Sequence, residues 1–139
     1  MSLPLFLQRC PLFAGLSEAL TEALAAASET QFYTAGQTIV FRGTTLDGLY
    51  LVNEGAVSIM VKNAEVAKLG EHDCFGEMSL LSHGTAIATV KAGPEGARLI
   101  WIPEQAFLAA VAGDPALKSR AEAIAASRSQ SPLGDVHAR

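Results

Sequence analysis

Asp73 to Val90 read DCFGEMSLLSHGTAIATV, the stretch on which the reading of the fold turns. Its second half alternates: Ala86, Ala88 and Val90, with Ala92 just beyond, fall on one face of an extended chain, and Ile87, Thr89 and Lys91 on the other. A face of small apolar side chains has to be covered, so Ala86 is expected to point inward. His83 before Gly84 reads as an exposed turn, and Cys74 beside Phe75 as a small buried hydrophobe. From Leu69 through Val90 there is no Lys or Arg, while Glu71, Asp73 and Glu77 are acidic, so an anion entering here meets negative charge.

Outward from this stretch the chain is punctuated by glycine. Gly36, Gly43, Gly48, Gly55, Gly70, Gly76, Gly84, Gly93 and Gly96 crowd the middle. Between them lie short β-branched and aliphatic runs: Thr38 to Phe41, Leu49 to Val52, Ala56 to Val61, Val66 to Leu69, Ala86 to Ala92 and Leu99 to Ile102. Many short strands at regular spacing predict a sandwich, jelly roll or barrel. Val57, Ile59 and Val61 alternate with Ser58, Met60 and Lys62, the pattern of a half-buried strand.

The flanks switch to helical period. Ser17 is a plausible N-cap, with Glu18 in the first turn and an apolar stripe of Leu16, Leu20, Ala23, Leu24 and Ala27. A second helix is expected to start at Pro103, turn Phe107, Leu108 and Val111 inward and stop at Gly113; Asp114-Pro115 then caps a third with Leu117, Ala121 and Ile124 on one side. The expected organisation is α+β: a helical segment over 1–28, an antiparallel β-roll over 29–102, two helices over 103–128 and a frayed polar tail over 129–139.

Composition narrows the function. Across 139 residues, 10 basic against 14 acidic side chains give a net charge of -4, which argues against a free-standing nucleic-acid binder. The length suits one domain and is too short for a two-domain regulator. Apolar runs are too short to cross a bilayer, Met1 to Pro4 has no positive leader region, and Met1-Ser2-Leu3 is compatible with an expression leader, a point the sequence leaves open. Cys10 and Cys74 have no metal-ligand spacing, so a reduced cytoplasmic setting is expected.

With the upstream segments AGQTIVFRG and LYLVNEGAVSI, the stretch resembles the cyclic-nucleotide-binding domain family, of the cyclic AMP receptor protein and protein kinase A regulatory-subunit type. The likeness runs from about Leu12 to Leu117 and takes in the helical entry PLFAGLSEAL and the exit LIWIPEQAFLAAV. It implies a double-stranded β-helix in which a cassette, here residues 75–89, holds a cyclic phosphate and its ribose. By resemblance Phe75, Gly76 and Glu77 open the cassette, Gly76 lets the backbone approach the ligand, and amides at the start of a short helix through Met78 and Ser79 face the anion. Glu77 would accept a hydrogen bond from the ribose 2′-hydroxyl, or serve only as an N-terminal acid of the short helix. The cassette ends at Ala86, Ile87, Ala88 and Thr89, where the family places Arg-x-Ala-Thr.

Ala86 therefore stands where the family's arginine belongs. A guanidinium pairs bidentately with a phosphate, each charge-assisted bond contributing roughly 1.5–3 kcal/mol, so its loss weakens binding on the order of a hundredfold or more. Arg42, Lys62, Lys91 and Arg98 are substitutes in principle but read as solvated surface charges, and His83 is cationic only below about pH 6.5. Two readings follow: a sensor with an altered cassette that binds cyclic AMP or cyclic GMP weakly or not at all, and a degenerate module kept as a scaffold for protein contacts or as the effector domain of a larger regulator.

Enzyme and metal readings find little support. His72, His83 and His137 do not space as a facial triad, and no Ser-His-Asp or Cys-His logic is visible. No helix-turn-helix follows Ile124, so the chain itself is not expected to bind DNA. A helix over residues 115 to 128, about 20 Å long, either lies back on its own roll or pairs between protomers as a homodimer contact, and both readings stand.

Overall fold

The computed structural model describes residues 2–129. Its centre is an antiparallel sheet built on two long strands, β3 (Gly48–Val61) and β6 (Thr89–Pro103), paired from Gly48↔Pro103 to Met60↔Thr89. β1 (Glu29–Tyr33) and β2 (Thr38–Val40) pair with β6, while β4 (Ala64–Leu69) and β5 (Cys74–Phe75) pair with β3. Helices flank this antiparallel roll at both ends of the chain, the α+β jelly-roll architecture expected.

Of the runs expected as separate strands, 49–52 and 56–61 are both parts of β3, and 99–102 together with residues 89–92 of the run 86–92 are parts of β6. Gly55 and Gly96, which punctuate the sequence like turns, instead sit inside β3 and β6 with φ of 85° and 80°. The ladder shifts register on either side of Gly55, and a Cβ there would come within 2.5 Å of the Gly96 carbonyl oxygen. With glycines at adjacent levels of the two strands, Gly55 opposite Ala97 and next to Gly96, both strands bend together and the β3–β6 pair curls into a roll without breaking. Ala86 to Ala88 lie before β6 begins, in a segment tied to the Gly43–Thr44 turn.

The N-terminal segment holds one helix more than the one the sequence delimits. Residues Leu3–Arg9 form α1, started by Ser2, whose hydroxyl accepts the Leu5 N–H at 3.4 Å, with Pro4 in the first turn. Phe6 and Leu7 are buried, and Phe6 stacks on His72 at 5.0 Å. Leu3, partly buried, packs against the core. A 3-10 turn, Pro11–Phe13, leads to α2 (Glu18–Ala27), where Ser17 caps the Leu20 N–H as expected. The inward face of α2 is set by Thr21 and Leu24, and Ala23 is exposed rather than part of the stripe.

At the other end, Pro103 is the N-cap of α4 (Glu104–Gly113), and Asp114 leads into α5 (Ala116–Ser129). Leu117 and Ala121 are fully buried, and Arg120 donates from Nε to the Leu12 carbonyl at 2.9 Å. The apolar side of α5 is therefore spent against its own chain. The expected tail, apart from Ser129, lies outside the described residues.

Burial pushes the Cys10 thiol up from its ordinary 9.0 to about 12, with Asp73 adding to the shift. The folded state thus keeps this proton while the unfolded chain releases it above pH 9.0. Stability is unaffected by the thiol below that value and falls by about 1.4 kcal/mol per pH unit as pH rises from 9.0 towards 12. Tyr50, also shifted up by burial, adds to the loss at its upper end. Urea midpoints between pH 8 and 11 should show this decline, and Cys10→Ala should flatten it.

Candidate functional site

A cavity of about 380 Å³ opens between the roll and the helices. The cassette walls one side. β5 brings in Phe75, stacked on Tyr50 with ring planes 5° apart at 4.9 Å. The chain then turns sharply at Gly76, where φ is 95°, and enters α3 (Glu77–Ser82). A Cβ at Gly76 would lie 2.9 Å from Leu46 Cδ1, so glycine answers both the left-handed turn and the close approach. Gly76→Ala is expected to cost about 1–3 kcal/mol, measured as a lowered thermal midpoint, with near-ultraviolet circular dichroism reporting a disturbed Phe75–Tyr50 stack.

The first residue of α3 is the buried carboxylate Glu77, 2% exposed. Met78 and Ser79 follow, Met78 exposed and Ser79 donating from its hydroxyl to the Thr85 carbonyl at 3.3 Å. The Gly84 N–H closes the helix on the Ser79 carbonyl, and His83 stands exposed at the turn, as the sequence indicates. Ala86 comes next, 7% exposed, with its N–H donated to the Thr44 carbonyl at 2.9 Å and its own carbonyl accepting the Gly43 N–H at 2.8 Å. Ala86, Ala88, Val90 and Ala92 are all buried, so the inward face is as the alternation predicts.

Phe75, Gly76, Glu77, Met78, Ser79, Ala86, Ile87 and Ala88 all line the cavity. Thr89 does not; its hydroxyl accepts the Arg42 N–H at 3.0 Å and fastens the 41–44 turn to β6. Ile87, alternating away from Ala86, stands at the rim, 60% exposed. Of the acidic group Glu71, Asp73 and Glu77, only Glu77 reaches the cavity: Glu71 is exposed, and Asp73 accepts the Gly70 N–H at 2.9 Å. Of the three acids expected to meet an anion, the cavity lining includes Glu77 alone.

None of the cations weighed as substitutes lines the cavity. Arg98 pairs with Glu54 at 2.9 Å and lies over the Phe32 ring. Lys68, which sequence reading passed over, does line it. It lies on β4 opposite Ser58, one residue before the stretch counted as free of basic charge, and only the return of β4 onto β3 brings it to the rim. Ala125, one turn beyond Ala121 on α5, is the other unforeseen contributor. Among the described residues no group of three His, Cys, Asp or Glu is placed to hold a metal ion, and no helix is long and apolar enough to cross a membrane.

A family model described as the cyclic nucleotide-binding domain matches residues 30–114, more than half of the chain. The chain belongs to this family. It is similar to the cGMP-dependent protein kinase, isozyme 1, of Drosophila melanogaster, with 30% identity over 109 residues, 73% of this chain and 14% of that protein. In three dimensions it is similar to the catabolite activator protein of Thermus thermophilus, with 29% identity, a TM-score of 0.72, and coverage of 85% of this chain and 57% of that one. The cAMP-bound PfPKA-R (141-441) shares the fold, with a TM-score of 0.81 at 16% identity over 96% of this chain and 44% of that one. The cyclic nucleotide-binding domain thus accounts for the roll, and the chain spans only part of each of these relatives.

Proposed function

We propose that this chain is a regulatory ligand-sensing module whose cassette, residues 75–89, walls the binding pocket but holds cyclic AMP and cyclic GMP weakly or not at all. One observation carries the reading: Ala86, where the family pattern has its arginine, is a buried methyl on the cavity wall. The tight turn at Gly76 and the Glu77 carboxylate suit the sugar of a cyclic nucleotide, whereas position 86 does not suit its phosphate. Calorimetric titration at moderate salt should give dissociation constants in the millimolar range or no heat. Sub-micromolar affinity for either nucleotide would overturn the reading.

Ala125 supports a role for α5 in sensing, because a helix that contributes to the pocket wall shifts when the pocket's contents change. Its apolar stripe is already buried within the protomer, so we take α5 as an intramolecular cover rather than a homodimer contact; sedimentation should give a monomer. A second reading, a scaffold for protein contacts, draws on two exposed apolar side chains, Ile87 within the cassette and Phe41 in the turn joined to it through Thr89. The output of such a module lies in a partner or in a further domain of a longer protein, as the partial coverage of its relatives suggests.

A further inference from the structure

Among the described residues that line the cavity, only Lys68, Glu77 and Ser79 carry polar side chains, and each is committed elsewhere. Glu77 is engaged within the fold. The Ser79 hydroxyl is given to the Thr85 carbonyl. Lys68 is exposed and pairs in register with Ser58, whereas its neighbours Ala67 and Leu69 share the face of Ile59 and Val57. Lys68 therefore meets the cavity at the rim, and strand alternation turns its ammonium away from the face that Ala67 and Leu69 present to it. A charged ligand buried here would lose its water without gaining an opposite charge.

The rest of the wall is apolar. Val40, Leu46, Ile59, Leu69 and Val90 give it an aliphatic surface, and four alanines on three different elements, Ala67 on β4, Ala86 and Ala88 before β6 and Ala125 on α5, leave room in front of it. The apolar surface continues outward, because Met78 and Ile87 line the cavity and are exposed as well. An apolar molecule seated inside would remove these two side chains from water along with itself. At about 380 Å³ the cavity falls within the usual range for small-molecule sites, about 300–1,000 Å³. Resting on the pocket proposed above, we infer that it takes an uncharged, predominantly apolar small molecule. Ala86 is then one member of a continuous apolar lining, and the poor fit to a cyclic nucleotide is a change of ligand class rather than a loss of binding.

Fluorescence titration of the full chain with N-phenyl-1-naphthylamine, an uncharged dye that brightens in apolar surroundings, should show saturable binding. Displacement then uses one ring system in three charge states: 2-methylnaphthalene, 2-naphthoate and 2-naphthylmethylamine. The uncharged compound should displace the dye at concentrations about tenfold or more below those that either ion requires. Ala67→Phe, which fills the cavity from β4, should weaken dye binding by about tenfold or more, whereas Phe32→Ala, at an exposed ring on β1 outside the lining, should leave it unchanged. Should Ala67→Phe not fold, Ala125→Phe fills the same space from α5. Equal or better displacement by either ion, or by cyclic AMP, overturns the inference and leaves the pocket in place. Unchanged binding in the filled variant, or its loss in Phe32→Ala, puts the dye on the surface and overturns the inference too. Absence of dye binding combined with uptake of cyclic AMP by Ala86→Arg overturns the inference alone, and absence of both removes the pocket reading as well.

Discussion

Ala86→Arg is expected to raise affinity for cyclic AMP on the order of a hundredfold or more. The guanidinium would enter the cavity wall where the family pattern places it, on a backbone already fixed by hydrogen bonds to Gly43 and Thr44. Two charge-assisted bonds at roughly 1.5–3 kcal/mol each exceed the roughly 2.7 kcal/mol that a hundredfold requires, leaving room for desolvation of the ions. Without ligand the same change costs stability. A long cationic side chain placed where a methyl is 7% exposed overpacks the wall by about 1–3 kcal/mol.

The expected signature is a variant that melts below the parent alone and recovers on addition of cyclic AMP, by about 2.7 kcal/mol at a hundred times its dissociation constant. Ala86→Leu supplies the control, with similar overpacking and no recovery. If both variants melt low and neither recovers, the geometry of the cassette does not position an arginine at 86 for a phosphate.

The turn at Gly76 and the inward face of residues 86–92 were legible in the sequence because their determinants are local, while the cassette itself was named only by resemblance to the family. A left-handed turn needs a glycine, a strand shows its inward face by alternation, and both signals lie within residues 75–90. The strand boundaries were not legible in the same way. Gly55 and Gly96 carry the composition of turns, and only the close approach of Gly55, paired with Ala97, to the neighbouring Gly96 carbonyl across the ladder makes them a shared bend.

Long-range contributors to the pocket were hidden for a related reason. Lys68 and Ala125 reach it through the pairing of β4 with β3 and the return of α5 onto the roll, neither of which leaves a mark in the residues themselves. Within the helical segment expected over 1–28, the separate first helix was not delimited because seven residues show too little period, although Ser2, Pro4 and the pair Phe6-Leu7 carried its cap and its buried face.

Phe107→Ala is expected to cost about 3–5 kcal/mol, the largest loss of stability from any single substitution considered for this chain. The ring is fully buried on α4, a helix that packs against α2, α5 and the two long strands. Truncation removes its transfer free energy and leaves a hole. The surrounding strands are fixed by their ladder, so they cannot close on the hole, and the cost falls at the upper part of the range for the same reason. Against a total stability of about 5–15 kcal/mol for a domain of ordinary stability, this loss is large enough to lower the thermal midpoint by some 10–20 °C.

Phe41→Ala, at a side chain 62% exposed, should change stability by no more than about 0.5 kcal/mol, and urea melts of the two variants separate burial from aromatic content. The consequence extends to the pocket. α4 connects the roll to α5, and α5 brings Ala125 to the cavity wall, so a hole under α4 loosens that wall before the domain unfolds. Amide exchange in α5 should therefore accelerate in Phe107→Ala even under conditions where the variant is fully folded, while exchange in the β3–β6 ladder follows global stability. Unchanged exchange in α5 would mean that the helix is held by Leu117 and the Arg120–Leu12 hydrogen bond alone, independently of the core beneath α4.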